Sequence, residues 1–459
     1  SIRRDRDYEC LWFYFMIMKR PKVVLINPCG WQKESINLGL CLLAGSLKSA
    51  GYETVLLDLN RYAMTDDQLL ARIGELKPNV VGISLKTADV NEGTRMAALL
   101  KQKYPDIPLA AGGPHLSLCA REFMETYPMY IGGEWVTTAE KQTVTLPYDG
   151  TPVGEVYKAD AAIAGRAIEA AKAGARAMRK LTNCERAELL ERITALLRRD
   201  LDEFTRLVTC ETGKPIKEAR GETDRSLQTL IAAAGVARQL RGEVVPIDAA
   251  PTGTGRMAMT VREPLGVIGA ITPFNVPLNL GLHKIAPALA GGNAVVHKPA
   301  GVTPLSALRL ARTFEEAGAP RGAYNVVTGD GPVVGNALVR SPDVAMITFT
   351  GSAEVGYAIR ASAGVKRVTL ELGGNAALVL EPDCDLDTAV ARAVMGSFAH
   401  SGQICISIQR IYVHESIAQC FTEKFVAATE RLRIGNPLEE STDISSLITE
   451  KEAMRVESW

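Results

Sequence analysis

From Lys22 onward, short apolar runs alternate with longer amphipathic stretches. "KVVLIN" (22–27), "TVLLDL" (54–59), "NVVGISL" (79–85) and "PLAAGG" (108–113) read as strands; "LGLCLLAGSLKSAG" (38–51), "TDDQLLARIGEL" (65–76) and "NEGTRMAALLKQKY" (91–104) read as helices, the second opening on a capping box. Strands apolar at successive positions need cover on both faces. They therefore predict a parallel, flavodoxin-like sheet over 21–128, with ligands at the strands' C-terminal ends. Near Met129 the pattern changes. "MYIGGEW" and "YDGTPVGEVYKAD" predict short strands and turns, followed by two long helices over 161–180 and 184–212. Beyond them "LGVIGAIT" (265–272), "GNAVVHK" (292–298), "AYNVVTG" (323–329), "VAMITFTG" (344–351) and "RVTLELGG" (367–374) alternate with helical stretches such as 305–317. That is a second and larger α/β unit.

A length of 459 residues fits two or three domains. Hydrophobic residues at 47% and charged residues at 23% are globular values. Basic and acidic residues balance at 52 each, so no global field favours nucleic acid or an anionic membrane as a partner. The nine cysteines include no C-x-x-C pair, which argues against a disulfide framework or a zinc site and suits a reducing cytoplasm. The run Leu11 to Met18 is too short to span a bilayer, and Asp5, Asp7 and Glu9 spoil a basic leader. Residues 1–20 are thus expected to be an unstructured extension.

Five stretches of the larger unit carry candidate chemistry: "TPFNVPLN" (272–279), "VVHKPAGVTPLSA" (295–307), "FTGSAEVG" (349–356), "LELGGN" (370–375) and "GQICIS" (402–407). Singly, each has a plain structural explanation. "GSAEVG" closes a strand-to-helix turn as readily as it cradles phosphate, Glu371 could be a solvated turn acid, and Asn275 could serve its own backbone. A lone Cys405 would be a buried thiol.

Together, in this order, they resemble the aldehyde dehydrogenase superfamily from about Tyr130 to the last residue, with "IGGEW" and "ETGKP" (211–215) in support. The resemblance implies NAD(P)-dependent oxidation of a small aldehyde through a thiohemiacetal and a thioester. Cys405 would be the nucleophile, the Asn275 amide and the Cys405 N–H would steady the oxyanion, and Glu371 would activate the hydrolytic water. Thr272, Pro273, Lys298, Gly351, Ser352 and Gly356 would hold NAD or NADP, Lys298 at the adenosine ribose or its 2′-phosphate. Where many NAD-preferring members carry an acid there is Gly301, which implies tolerance of NADP. Residues 243–263 resemble the family's oligomerisation hairpin and imply a homo-oligomer. No metal site is expected. Cys184, Cys210 and Cys420 are expected in the core and Cys384 in a loop. The resemblance suggests a short polar substrate such as lactaldehyde or a phosphorylated relative.

The resemblance divides this part into an NAD(P)-binding domain (129–372) and an incomplete catalytic domain (373–459), expected to expose apolar surface and strand edges. Residues 21–128 resemble the cobalamin-binding domain that precedes many radical-SAM enzymes, on "VLINP", "LGLCLLAGSLKSAGYE", "VVGIS" and "AAGGPH". Ser84, Gly112 and Gly113 would then lie against cobalamin. There is no D-x-H-x-x-G loop, and His115 is not placed to ligate cobalt; a flavodoxin-like fold without ligand is the plain alternative. Both units look clipped at their C-terminal sides, so the chain reads as a fusion of two incomplete domains. Its competing function is that of a cobalamin-binding module joined to an inert dehydrogenase fragment.

Overall fold

The computed structural model describes residues 22–27, 38–49, 51–59, 62, 64–84, 90–105, 107, 109–112 and 126–459. The chain divides after Met124 into two compact units. The leader expected over 1–20 lies outside the described residues, as do Gly113 and His115.

In the first unit, β1 (Lys22–Asn27), α1 (Leu38–Ser49), β2 (Glu53–Asp58), α2 (Asp66–Leu76), β3 (Val80–Ser84), α3 (Val90–Lys103) and β4 (Leu109–Gly112) follow one another. The strands form a wholly parallel sheet in the order β2-β1-β3-β4. Alternate residues face opposite sides. Val24, Ile26, Val81 and Ile83 pack on Leu69, Ile73, Met96 and Leu100, while Val23, Leu25 and Val80 pack on Leu40, Ala44 and Leu47. Double cover is why these strands read as unbroken apolar runs. Helix α2 begins where the capping box predicts: Thr65 Oγ1 accepts from Gln68 N at 3.3 Å, and Gln68 Oε1 accepts from Thr65 N at 2.9 Å.

The second unit opens with β5 (Thr126–Tyr127), β6 (Met129–Ile131), β7 (Glu134–Val136), β8 (Lys141–Thr145) and β9 (Pro152–Tyr157). Four helices follow: α4 (Ala161–Lys180), α5 (Asn183–Arg199), α6 (Leu201–Thr212) and α7 (Ile216–Gln239). Next come the short hairpin strands β10 (Val244–Val245) and β11 (Ala258–Met259), paired antiparallel. The main sheet is then built from β12 (Val267–Ile271), α8 (Pro277–Ala290), β13 (Ala294–Lys298), α9 (Leu305–Glu316), β14 (Tyr324–Val326), α10 (Asn336–Arg340), β15 (Val344–Thr350), α11 (Ala353–Ser362) and β16 (Arg367–Glu371). Its order is β16-β15-β12-β13-β14-β6-β7, parallel from β16 to β14 and antiparallel at β14–β6 and β6–β7. The last lobe holds β17 (Ala376–Leu380), α12 (Leu386–Phe398), β18 (Ile408–Val413), α13 (Glu415–Thr429) and α14 (Glu450–Glu457). Strands β17 and β18 form a two-stranded parallel sheet on which Val379 and Tyr412 are exposed.

One expectation about helices needs correction. The helix expected over 184–212 is broken at Asp200, which adopts φ −102°, ψ 22°. Its carboxylate accepts from Arg199 of α5 and, at 2.6 Å, from Arg309 of α9, an ionic clamp that suits a side chain competing with the helix for hydrogen bonds. Helix α7 has no counterpart among the expected elements; its buried face mixes Ile216, Leu227 and Leu230 with the small or polar Ala219, Glu222, Thr223 and Ser226, which blurs the apolar stripe. Among the described residues no helix is long and apolar enough to cross a membrane.

Candidate active site

The order of the main sheet creates the site. From β12 the chain moves through β13 to β14 on one side, then returns to place β15 and β16 on the other, so connections diverge at the C-terminal ends of β12 and β15. Such a switch point leaves a crevice. A cleft of about 880 Å³ lies there, lined by the loop Thr272–Asn275, by Lys298 and Ala300, by Thr350–Ser352, by Leu372–Gly374 and by Gly402–Cys405. Seven of the expected residues thus come together: Thr272, Pro273, Asn275, Lys298, Gly351, Ser352 and Cys405.

Two expected residues do not line it. Gly356 lies in the first turn of α11, where a Cβ would come within 2.5 Å of Leu372 Cδ2, so its lack of a side chain serves helix-to-strand packing. Glu371 ends β16; its backbone oxygen accepts from Gly351 N at 3.1 Å, and its residue is exposed next to the lining Leu372.

The cysteine loop is held under strain. His400, Ser401 and Gly402 adopt φ of 48°, 56° and 75° in succession, and each non-glycine in that region costs on the order of 1–3 kcal/mol. Several bonds impose the geometry. His400 N donates to Glu218 Oε2 at 2.8 Å, Ser401 Oγ to Ser445 O at 2.8 Å, and Ile448 N to Gln403 Oε1 at 2.9 Å. From the opposite wall Asn275 Nδ2 donates to Gln403 O at 2.6 Å. Asn275 Oδ1 is buried without a partner. Cys405 is exposed in the cleft, and Gly374 lets the strand-end loop approach it, since a Cβ there would lie 3.2 Å from Cys405 O.

Two buried lysines set the field beneath the cleft. Burial pushes Lys298 down to about 8, and its Nζ donates to Pro299 O at 3.1 Å. Lys284 on α8 is likewise pushed down to about 8 by burial, with the Glu371 charge opposing the fall, and donates to Thr350 Oγ1 at 2.7 Å. Two buried glutamates seat the helices on either side. Glu222 pairs with Lys214 and accepts from Leu278 N and Asn279 N at the start of α8. Glu211, which burial raises to about 8, accepts from Leu305 N and Ser306 N at the start of α9. These carboxylates replace the local caps that Val276 and Pro304 cannot supply. Sequence reasoning missed them; the signal was two helices without capping residues after strands, matched by acids on buried helix faces. It also missed Arg455, which lines the cleft from α14.

Cys184 and Cys420 were expected in the core and are instead exposed, on outward faces of α5 and α13; Cys210 and Cys384 are half-buried. Among the described residues no group of His, Cys, Asp and Glu is arranged to hold a metal ion. In the first unit Ser84 is buried at the end of β3, in register with Gly112 of β4. Beside it Asn27, at the end of β1, is buried and donates to Asp58 Oδ1 at 2.8 Å.

Residues 135–459 match the aldehyde dehydrogenase family model. The chain belongs to the aldehyde dehydrogenase family. This dehydrogenase is 46% identical over 336 residues to the 3-sulfolactaldehyde dehydrogenase of Priestia megaterium, covering 73% of this chain and 70% of that one. It is 41% identical over 333 residues to the lactaldehyde dehydrogenase of Methanocaldococcus jannaschii, covering 72% and 70%. Among solved structures it resembles an NADP-dependent enzyme of E. coli (TM-score 0.70, 37% identity, covering 73% of this chain and 70% of that one). It also resembles aldehyde dehydrogenase 21 of Physcomitrella patens in complex with succinate (TM-score 0.71, 35% identity, 73% and 70%). The dehydrogenase is an oxidoreductase of a family that uses NAD(P). Residues 32–144 match the B12 binding domain family model, a match that runs past residue 124 into the first strands of the second unit.

Proposed function

We propose that this dehydrogenase oxidises a small aldehyde to its carboxylic acid through a covalent intermediate on Cys405. The observation that carries the reading is the exposed Cys405 thiol in one cleft with Asn275, Lys298 and the Gly351–Ser352 turn. In this reading the Cys405 thiolate attacks the carbonyl carbon. The Cys405 N–H and the second N–H of Asn275 donate to the oxyanion, the first being held by Gln403 O. Loss of one such donor costs about 3 kcal/mol of barrier. Thr272, Lys298, Gly351 and Ser352 would hold the dinucleotide, which would supply the acceptor for the hydride that leaves this carbon. Glu371 then turns from its exposed position toward the Cys405 thioester and takes a proton from the water that attacks its carbonyl, and the C–S bond breaks to release the carboxylic acid and the Cys405 thiolate.

The residues fit a dinucleotide. Lys298 is buried, its Nζ donates to the Pro299 carbonyl and feels the Asp330 charge, and Gly351 and Ser352 open α11, whose N-terminal amides suit a pyrophosphate. A Cβ at Gly301 would meet nothing nearer than Gln142 Oε1 at 4.0 Å, so there is room at this position and the residue itself brings no carboxylate against a 2′-phosphate. Both NAD and NADP are therefore expected to serve. Similarity to the 3-sulfolactaldehyde and lactaldehyde dehydrogenases favours lactaldehyde or a short anionic 2-hydroxyaldehyde as substrate.

The B12 model match and the buried Asn27 and Ser84 at the C-terminal ends of β1 and β3, Ser84 in register with Gly112, favour cobalamin as a ligand of the first unit. The exposed Val244, Met257 and Met259 of the β10–β11 hairpin favour a homo-oligomer. Formation of NAD(P)H with lactaldehyde, abolished in Cys405→Ala, tests the enzyme reading. Protein that takes up cobalamin but reduces neither dinucleotide would favour the binding-module reading instead.

A further inference from the structure

Thr272 lines the cleft, and behind it runs a buried line of hydrogen bonds. Thr272 Oγ1 lies 2.9 Å from His297 Nε2, and His297 Nδ1 lies 2.9 Å from the Tyr324 hydroxyl. His297 and Tyr324 are almost wholly buried in adjacent strands, in a sheet whose other inward positions are chiefly apolar. Burial, reinforced by Lys284 and Lys298, pushes His297 down to about 3, so its ring carries a single proton at any working pH. One ring nitrogen then donates and the other accepts.

Two proton arrangements satisfy this line, and they are not equivalent. If Thr272 donates to Nε2, then Nδ1 donates to Tyr324, and the phenol must send its own proton elsewhere. Among the described residues its one other acceptor is Ala307 O at 3.5 Å, well beyond the roughly 2.5–3.0 Å of an ordinary O–H···O bond. In the reverse arrangement Tyr324 donates to Nδ1 at 2.9 Å, Nε2–H donates to Thr272 Oγ1, and every short contact is used. That leaves the Thr272 proton free.

We propose that Tyr324 and His297 are positioning residues that make the Thr272 hydroxyl a hydrogen-bond donor to an oxygen of the bound dinucleotide. The assignment rests on the cleft being the NAD(P) site. It also explains why a histidine occupies a strand position where a valine would pack without polar cost.

Two measurements on the full chain test it. Nitrogen-15 NMR of histidine-labelled protein, with the His297 signals identified by their loss in His297→Gln, reads the tautomer without any cofactor; a proton on Nε2 is expected, and a proton on Nδ1 overturns the proposal. NADPH titration by fluorescence is expected to show about 10-fold weaker binding in Thr272→Val and in His297→Leu, with Thr272→Ser near wild type and the double variant no worse than either single. Thr272→Val that binds as wild type, or a double variant whose losses multiply, overturns it. Wild-type protein that binds no dinucleotide would refute the cofactor reading itself, while the tautomer still decides the direction of the relay.

Discussion

The buried Lys214–Glu222 pair offers a quantitative test of how the cleft is held in place. Glu222 faces two tasks: one carboxylate oxygen accepts from Leu278 N at 3.0 Å and Asn279 N at 3.3 Å, and the other meets Lys214, with both side chains almost fully buried. Glu222→Gln keeps a carbonyl oxygen for the helix but strands the Lys214 ammonium. Removing one partner of such a pair costs about 3–5 kcal/mol. At roughly 2 °C per kcal/mol for a unit of this size, melting should fall by about 6–10 °C. Adding Lys214→Met removes the stranded charge while keeping the cap, so the double variant should recover at least half of that loss. Differential scanning fluorimetry on wild type, single and double variants reads all three. A double variant that melts no higher than Glu222→Gln alone would refute the reasoning, because the cost would then lie in the cap and not in the unpaired charge.

NADP affinity should depend on pH through Lys298, whose folded value near 8 lies below the ordinary lysine value of 10.5. Below about 8 the ammonium is present to meet a 2′-phosphate and above it the charge is lost, so NADP binding should weaken as pH rises from 7.5 to 9, and Lys298→Met should flatten the profile. A bound phosphate would favour the charged form and move the fall upward. Gly301→Glu, placed where a side chain has room, should weaken NADP binding at least about 10-fold and leave NAD within about 3-fold, read by titration of each dinucleotide. Asn275→Ala should lower kcat with a short aldehyde by about 100-fold with little change in dinucleotide affinity; an unchanged kcat would remove the amide from the oxyanion site. Ser84→Val should reduce cobalamin carried through gel filtration, read by absorbance, and undiminished uptake would move that ligand off the β3 edge.

What the sequence made legible follows from which forces are local. The strands at 22–27, 80–84, 267–271 and 294–298 were readable because both sheet faces are covered, which forces nearly every position to be apolar. The Thr65 capping box was readable because both its arms lie within four residues. Features made by distant partners were not. Asp200 breaks a helix because Arg309, 109 residues away, holds its carboxylate. Glu211 and Glu222 cap helices 94 and 56 residues downstream. At the site, the motifs named Cys405, Asn275 and Lys298 but not the orientation of Glu371, which faces solvent at a strand end, nor the relay through Tyr324 and His297, which only the sheet order brings together.

The nucleophile remains the point on which the chemistry turns, and the exposed cysteines supply internal controls for it. Cys184 and Cys420 are exposed like Cys405, but neither lines the cleft. Brief treatment with substoichiometric iodoacetamide, followed by mass-spectrometric mapping of every cysteine peptide, should show Cys405 alkylated well ahead of both, with NAD(P)H formation lost in proportion. Alkylation of Cys405 at the pace of Cys184 and Cys420, or full labelling at 405 with undiminished turnover, would contradict the account.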